Sequence, residues 1–188
     1  MKKLPFLLLT LIFLASHTTI QAQEKVITRG QEVSTNGNLP KIGTTAPDFT
    51  GTDKSLNDVT LTSFRGKYVI LNIFPSLDTP TCAMSVRHFN EAASEFNNAI
   101  VLCLSRDLPF AQDRFCTIEG IDNVMALSLF RSESFEQAYG LIITEGPLRN
   151  LTARAIIVLD PEGKIIYHQL VKNISDEPDY DSALQSIK

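Results

Sequence analysis

Near-continuous apolar runs alternate with polar segments marked by Pro and Gly along this chain, and that alternation sets most of its elements. Residues 68–74 (YVILNIF) are almost unbroken apolar and β-branched, as a central strand covered on both faces is. Pro75 to Pro80 (PSLDTP) cannot continue it. Asp78-Thr79-Pro80 reads as a helix start, a capping-type residue followed by Pro at an early helical position. Val86, Phe89, Ala93 and Phe96 then recur at spacings of three and four and give that helix one apolar face. Residues 99–104 (AIVLCL) form a second buried strand, so strand, helix and strand fill about 37 residues as a right-handed βαβ unit with parallel strands.

Downstream, residues 110–118 read as a short helix closed by Gly120, 124–127 as a short strand and 135–140 as another helix. Residues 154–160 and 165–170 flank the turn Pro161-Glu162-Gly163-Lys164 and form a hairpin. The segment 178–188 is a terminal helix with Tyr180, Leu184 and Ile187 inward. A βαβ unit followed by a hairpin and a final helix is the order of a thioredoxin-like α/β fold, with a central mixed sheet flanked by helices. Ahead of it, residues 23–39 are polar and β-branched, with a turn signal at Asn36-Gly37, and read as an arm or β-hairpin extension of the 40–188 domain.

The first 22 residues are of a different kind. Lys2 and Lys3 precede an apolar run over 4–15, followed by a polar stretch of small residues ending near Ala22, the order of a secretory signal peptide. The run falls short of the roughly 20 apolar residues that a spanning helix needs. The expected mature chain is therefore exported, periplasmic and without a membrane segment. Its removal takes away two lysines and no acid, so the net charge moves from −4 to −6. An acidic surface without a Lys/Arg cluster argues against a nucleic-acid partner.

Three cysteines, Cys82, Cys103 and Cys116, make an odd count for an exported protein and suggest one pair plus a spare, or a pair that opens and closes, rather than a disulfide framework. Cys82 sits two residues after Pro80, in the first turn of the expected helix, where unpaired N–H groups and the positive end of the dipole favour a thiolate. Thr79 places its hydroxyl beside that sulfur, and Pro75 shapes the loop over it. An exposed, hydrogen-bonded thiolate near a cation is what attack on a peroxide requires. A disulfide exchanger would show Cys-x-x-Cys here, but the segment reads Cys82-Ala-Met-Ser85. A copper-binding module would need a better soft-ligand set than Cys82, Met84 and a remote histidine. Cys103, inside an apolar strand, reads as core filler, and His88 and His168 as solvated residues. Asn150-Leu-Thr152 and Asn173-Ile-Ser175 match the glycosylation pattern, on which nothing is built.

The octet Pro75-Ser-Leu-Asp-Thr79-Pro-Thr-Cys82 resembles the P-x-x-x-T-x-x-C signature of peroxiredoxins. Residues 72–76, Ser85-Val86-Arg87, residues 107–112, Arg114-Phe115-Cys116, residues 145–148 and Ala153-Arg154-Ala155 resemble the thiol peroxidase subfamily in particular. The resemblance implies a peroxidatic Cys82, oriented by Thr79 and stabilised as thiolate by Arg154, which also polarises the leaving oxygen. It implies Cys116 as the resolving cysteine of the same chain, closing a Cys82–Cys116 disulfide. It further implies hydrogen peroxide and alkyl hydroperoxides as substrates, thioredoxin or a similar donor as reductant, a homodimer, and neither metal nor organic cofactor. Leu77 and Phe110, apolar and close to the motif, suit alkyl hydroperoxides. Nothing in the sequence brings the two sulfurs together in the reduced fold, so local unwinding around 78–86 and 110–120 is expected on oxidation.

Overall fold

The structure, a computed structural model, describes residues 23–187. The proposed signal peptide over 1–22 lies outside the described residues, and among them no helix is long and apolar enough to cross a membrane. The chain runs through β1 (Lys25–Thr28), β2 (Gln31–Ser34), β3 (Thr50–Thr52), β4 (Asp58–Thr60), a 3₁₀ turn (Leu61–Phe64) and β5 (Tyr68–Ile73). There follow α1 (Pro80–Ala93), β6 (Ala99–Ser105), α2 (Pro109–Glu119), β7 (Met125–Ser128), α3 (Glu133–Tyr139), β8 (Ala155–Leu159), β9 (Ile165–Leu170) and α4 (Tyr180–Gln185).

Seven strands form one mixed sheet in the order β4-β3-β7-β6-β5-β8-β9. The expected βαβ unit is its centre: β5 pairs parallel with β6, Tyr68 opposite Ala99 through Ile73 opposite Leu104. On its other side β5 pairs antiparallel with β8, Ile73 opposite Ala155. Strand periodicity divides the interior into two layers. Val69, Leu71 and Ile73 face a core shared with the N-terminal hairpin and α3. Ile70 and Phe74, with Val101 and Cys103, face a second core closed by α1, α2 and α4. All three cysteines lie in or against this second layer.

Some expectations need correction. The N-terminal hairpin turns at Arg29-Gly30, not at Asn36-Gly37, since Thr28 pairs directly with Gln31. Both turn residues have positive φ, 49° and 77°, the geometry of a two-residue type I′ turn. Asn36 serves a tertiary purpose instead. Its Nδ2 donates to the carbonyl of Glu136 at 2.6 Å, and its Oδ1 accepts from the N–H of Ile142 at 2.8 Å. Gly140, at φ 63°, lets the arm close over the end of α3, since a Cβ there would lie 2.4 Å from the backbone N of Asn38.

Helix α1 ends at Ala93, one turn short of Phe96, which sits half-buried in the tight turns that follow. In α4 the central buried residue is Ala183, with Tyr180, Leu184 and Ile187 packed around it. His88 is exposed as expected, whereas His168 is only half-exposed, with Nδ1 inside the protein. Burial holds its imidazole below the usual range, the neighbouring Glu24 acting the other way.

Candidate active site

The carboxyl end of β5 carries the site. Phe74 continues the ladder by donating its N–H to Leu104 O at 3.1 Å, and its own carbonyl accepts from Thr152 Oγ1 at 2.6 Å. Pro75, buried, then turns the chain away from the sheet. Thr79 is the N-cap of α1 with extended backbone (φ −112°, ψ 142°), and Pro80 follows at the first helical position. The cap is atypical, because the Thr79 side chain bonds no backbone N–H of the helix. Its hydroxyl lies 2.7 Å from Cys82 Sγ and 3.1 Å from the carbonyl of Ser76. One hydroxyl proton serves only one of these acceptors at a time. With the thiol protonated, S–H faces the threonine oxygen and the hydroxyl proton goes to Ser76; with a thiolate, the proton turns to sulfur.

Arg154 reaches the same sulfur from the sheet. It immediately precedes β8, whose pairing of Ala155 with Ile73 sets it beside the loop that leaves β5. Its Nη2 stands 3.3 Å from Cys82 Sγ, its Nε donates to the carbonyl of Ile174 at 3.1 Å, and its Nη1 makes no hydrogen bond within the described residues. The side chain is 1% exposed and the ion pairs among the described residues do not include it. A buried guanidinium without a carboxylate is costly unless an anion compensates it, and Cys82 Sγ is the ionisable group that it contacts. The first turn of α1 adds the positive end of its dipole.

Cys82 itself is fully buried, against the expectation of an exposed thiol. Val86, Phe89, Phe74 and Leu77 surround it, while Thr79 in front of it is exposed. The guanidinium and the threonine also contact the sulfur, from two sides. Of the two apolar residues near the motif, Leu77 is buried and Phe110 is 62% exposed.

Residues to which no individual role at the site was assigned from sequence complete the surroundings. Asn72 and Ser85, both buried, bond each other at 3.1 Å, and Ser85 Oγ donates to the carbonyl of Cys82 at 3.1 Å. The C-terminal segment packs on α1: Thr81 Oγ1 donates to Ser175 O at 3.1 Å, and Tyr180 stacks on His88 with ring centroids 4.0 Å apart. Only position in space reveals these contacts, since Ile174 and Ser175 act through backbone carbonyls that carry no side-chain signal.

The other two cysteines differ. Cys103 is 1% exposed on β6, opposite Asn72, whose Nδ2 approaches its sulfur at 3.7 Å. Burial pushes its thiol up to about 12. Cys116 is half-buried in the last turns of α2, beside a groove of about 340 Å³ lined by Lys54, Gln112, Asp113 and Asp122. Burial raises its thiol above the usual value, Asp113 raises it further, and Lys54 opposes them. Gly120 closes the helix at φ 64°, its N–H going to the carbonyl of Cys116. The structure brings Thr79 and Arg154 onto Cys82 and leaves all three cysteines as free thiols.

Residues 41–184 match the Redoxin family. Over 159 residues, 85% of this chain and 96% of the relative, the sequence is 48% identical to a thiol peroxidase of Corynebacterium glutamicum. A thiol peroxidase of Mycobacterium bovis is 49% identical over 163 residues, 87% of this chain and 98% of that one. Among solved structures, a peroxiredoxin-like protein from Aquifex aeolicus superposes with a TM-score of 0.81 at 37% identity, covering 86% of this chain and 94% of that one.

Proposed function

Since the chain belongs to the redoxin family, in its thiol peroxidase branch, and is a peroxidase with a thioredoxin-like fold, we propose that Cys82 is its peroxide-reducing nucleophile and Cys116 its resolving thiol. The convergence of Thr79 Oγ1 and Arg154 Nη2 on Cys82 Sγ carries this reading. The Cys82 thiolate attacks one oxygen of the peroxide, the O–O bond breaks, and the second oxygen leaves as alkoxide or hydroxide. That oxygen takes a proton and departs as alcohol or water, leaving sulfenic acid on Cys82. Arg154 faces the sulfur with Nη2 and has Nη1 left to donate to the oxygen on which charge develops, while Thr79 holds the peroxide in line.

Cys116 then attacks the sulfenic sulfur as thiolate, an S–S bond forms, and the sulfenic oxygen leaves as water. A dithiol donor, thioredoxin or a thioredoxin-like protein, returns two electrons by thiol–disulfide exchange. Because Cys82 Sγ is buried between Thr79 and Arg154, this second step needs its turn of α1 to open. A disulfide further requires the two Cα atoms within about 7 Å. Hydrogen peroxide and organic hydroperoxides are the substrates in this reading, the enzyme works as a homodimer, and the pattern of residues 1–22 supports export to the periplasm.

The test is stoichiometric. One equivalent of hydrogen peroxide should be consumed rapidly by the wild type with loss of two thiols. Cys82→Ser should consume none beyond background, and Cys116→Ser should stop at sulfenic acid. More than a trace of turnover in Cys82→Ser would refute the assignment.

A further inference from the structure

Between the two cysteine-bearing segments lies a continuous chain of polar contacts centred on Asp107, just past the end of β6. Ser76 Oγ donates to Asp107 Oδ1 at 2.7 Å, and the N–H of Leu77 donates to Oδ2 at 2.8 Å. Ser105 Oγ donates to the same Oδ2 at 2.8 Å. Ser105 Oγ in turn accepts from Gln112 Nε2 at 3.0 Å, and Gln112 Nε2 also reaches the carbonyl of Leu127 at 3.3 Å. Ser105 and Gln112 are 0% and 2% exposed.

The hydrogens in this set are fully accounted for. Ser105 has one proton, which goes to the carboxylate, and its lone pairs receive Gln112 Nε2 and, at 3.3 Å, the backbone N–H of Asp107. The two N–H groups of Gln112 go to Ser105 and Leu127. Asp107 is the acceptor on which the chain ends, with three donors on two oxygens. The backbone of Asp107 is fixed as well, since Ser128 Oγ donates to its carbonyl.

Both ends of this chain lead to a reacting sulfur. On one side Ser76 O accepts from the N–H of Thr79 at 3.2 Å and stands 3.1 Å from its hydroxyl, and Thr79 touches Cys82 Sγ. On the other, Gln112 lies one turn before Cys116 on α2 and so shares its face of the helix. We propose that Asp107 is a positioning residue that locks the Thr79–Cys82 segment to the helix carrying Cys116 in the reduced enzyme, so that the two release together when the disulfide forms. The inference rests on the Cys82–Cys116 pairing proposed above. It adds that release of one segment is coupled to release of the other through this carboxylate.

A double-mutant cycle tests it, with each protein given one equivalent of hydrogen peroxide. Peroxide loss reads the first step, and the Cys82–Cys116 disulfide, quenched and measured by mass spectrometry, reads the second. Asp107→Ala should speed disulfide closure about fivefold or more, the scale set by a lost hydrogen bond, and slow peroxide loss. Gln112→Ala should speed closure without slowing peroxide loss. The double variant should close no faster than the faster single, because a chain cut twice is no looser than a chain cut once. Asp107→Asn, which keeps one accepting oxygen, should fall between wild type and Asp107→Ala. Multiplying effects, or unchanged closure in a folded Asp107→Ala, would overturn the coupling. If Asp107→Ala does not fold, Ser76→Ala takes its place in the same cycle under the same criteria. A wild-type enzyme that forms no Cys82–Cys116 disulfide would instead refute the pairing, and the coupling with it, before any variant is compared.

Discussion

The surroundings of Cys82 and Cys116 are electrostatic opposites built on the same kind of element. Cys82 occupies the first turn of a fourteen-residue helix, with a guanidinium at 3.3 Å and a hydroxyl at 2.7 Å. Cys116 occupies the last turns of an eleven-residue helix, near the negative end of its dipole, beside Asp113 and Asp122. The first surroundings set a cation and a hydroxyl on the sulfur. The second raises the thiol above its usual value through burial and Asp113. In the proposed mechanism this contrast separates two identical side chains into a nucleophile for peroxide and a nucleophile for sulfur, by position along a helix and by neighbouring charge.

Removing the cation from the first site gives the largest expected effect. Arg154→Ala should slow sulfenic acid formation about a hundredfold, the usual loss for one preorganised donor at a site of developing charge. Stopped-flow measurement at a fixed pH reads it, and a rate within a factor of three of wild type would remove Arg154 from the chemistry.

The second site is sharpened by pH. Because burial and Asp113 raise the Cys116 thiol, less thiolate exists at neutral pH, and the protonated form persists above the usual value of about 8.5. Disulfide closure after a peroxide pulse should therefore keep accelerating from pH 7 to beyond pH 8.5, and a plateau by pH 8 would contradict the contrast. Asp113→Asn removes one raising charge and should speed closure at pH 7 about twofold, a small effect because the site is partly open to water. Smallest of all in activity is Cys103→Ser. Turnover should stay near wild type, with a stability loss of about 1–3 kcal/mol by thermal or urea unfolding from placing a hydroxyl in the buried layer. Loss of turnover in this variant while Cys116→Ser cycles normally would mean that the resolving thiol is Cys103.

Much of the fold was legible because its central elements are periodic. The apolar runs at 68–74 and 99–104 match β5 and β6 within a residue, and Thr79-Pro80 marks the start of α1. What escaped notice lacks such a signal. Strands β3 and β4 have three residues each and pair mainly with one another, so no run is long enough to show alternation. Asn36-Gly37 carries the strongest turn signal near the N-terminus, but its asparagine is held by Glu136 and Ile142, a hundred residues away. At the site, Thr79, Cys82 and Arg154 were readable from motif resemblance. The roles of Ser76, Ser105 and Gln112 depend on which side chains the sheet brings to its carboxyl edge, and spacing along the chain does not encode that. Nor does it encode the contact of Cys82 with a guanidinium 72 positions later in sequence.

That separation of 72 residues has a consequence for the chain during its synthesis. Until β8 docks against β5, no guanidinium stands beside Cys82, and α1 without its sheet offers only a transient dipole. An emerging or unfolded polypeptide therefore carries three ordinary thiols. The contacts of Cys82 with Thr79 and Arg154 are complete only when the middle of the sheet closes around it. In the proposed mechanism, fast reaction with peroxide is thus a property of the folded chain alone. The rate at which peroxide reactivity appears during refolding then reports the closure of a single strand pair.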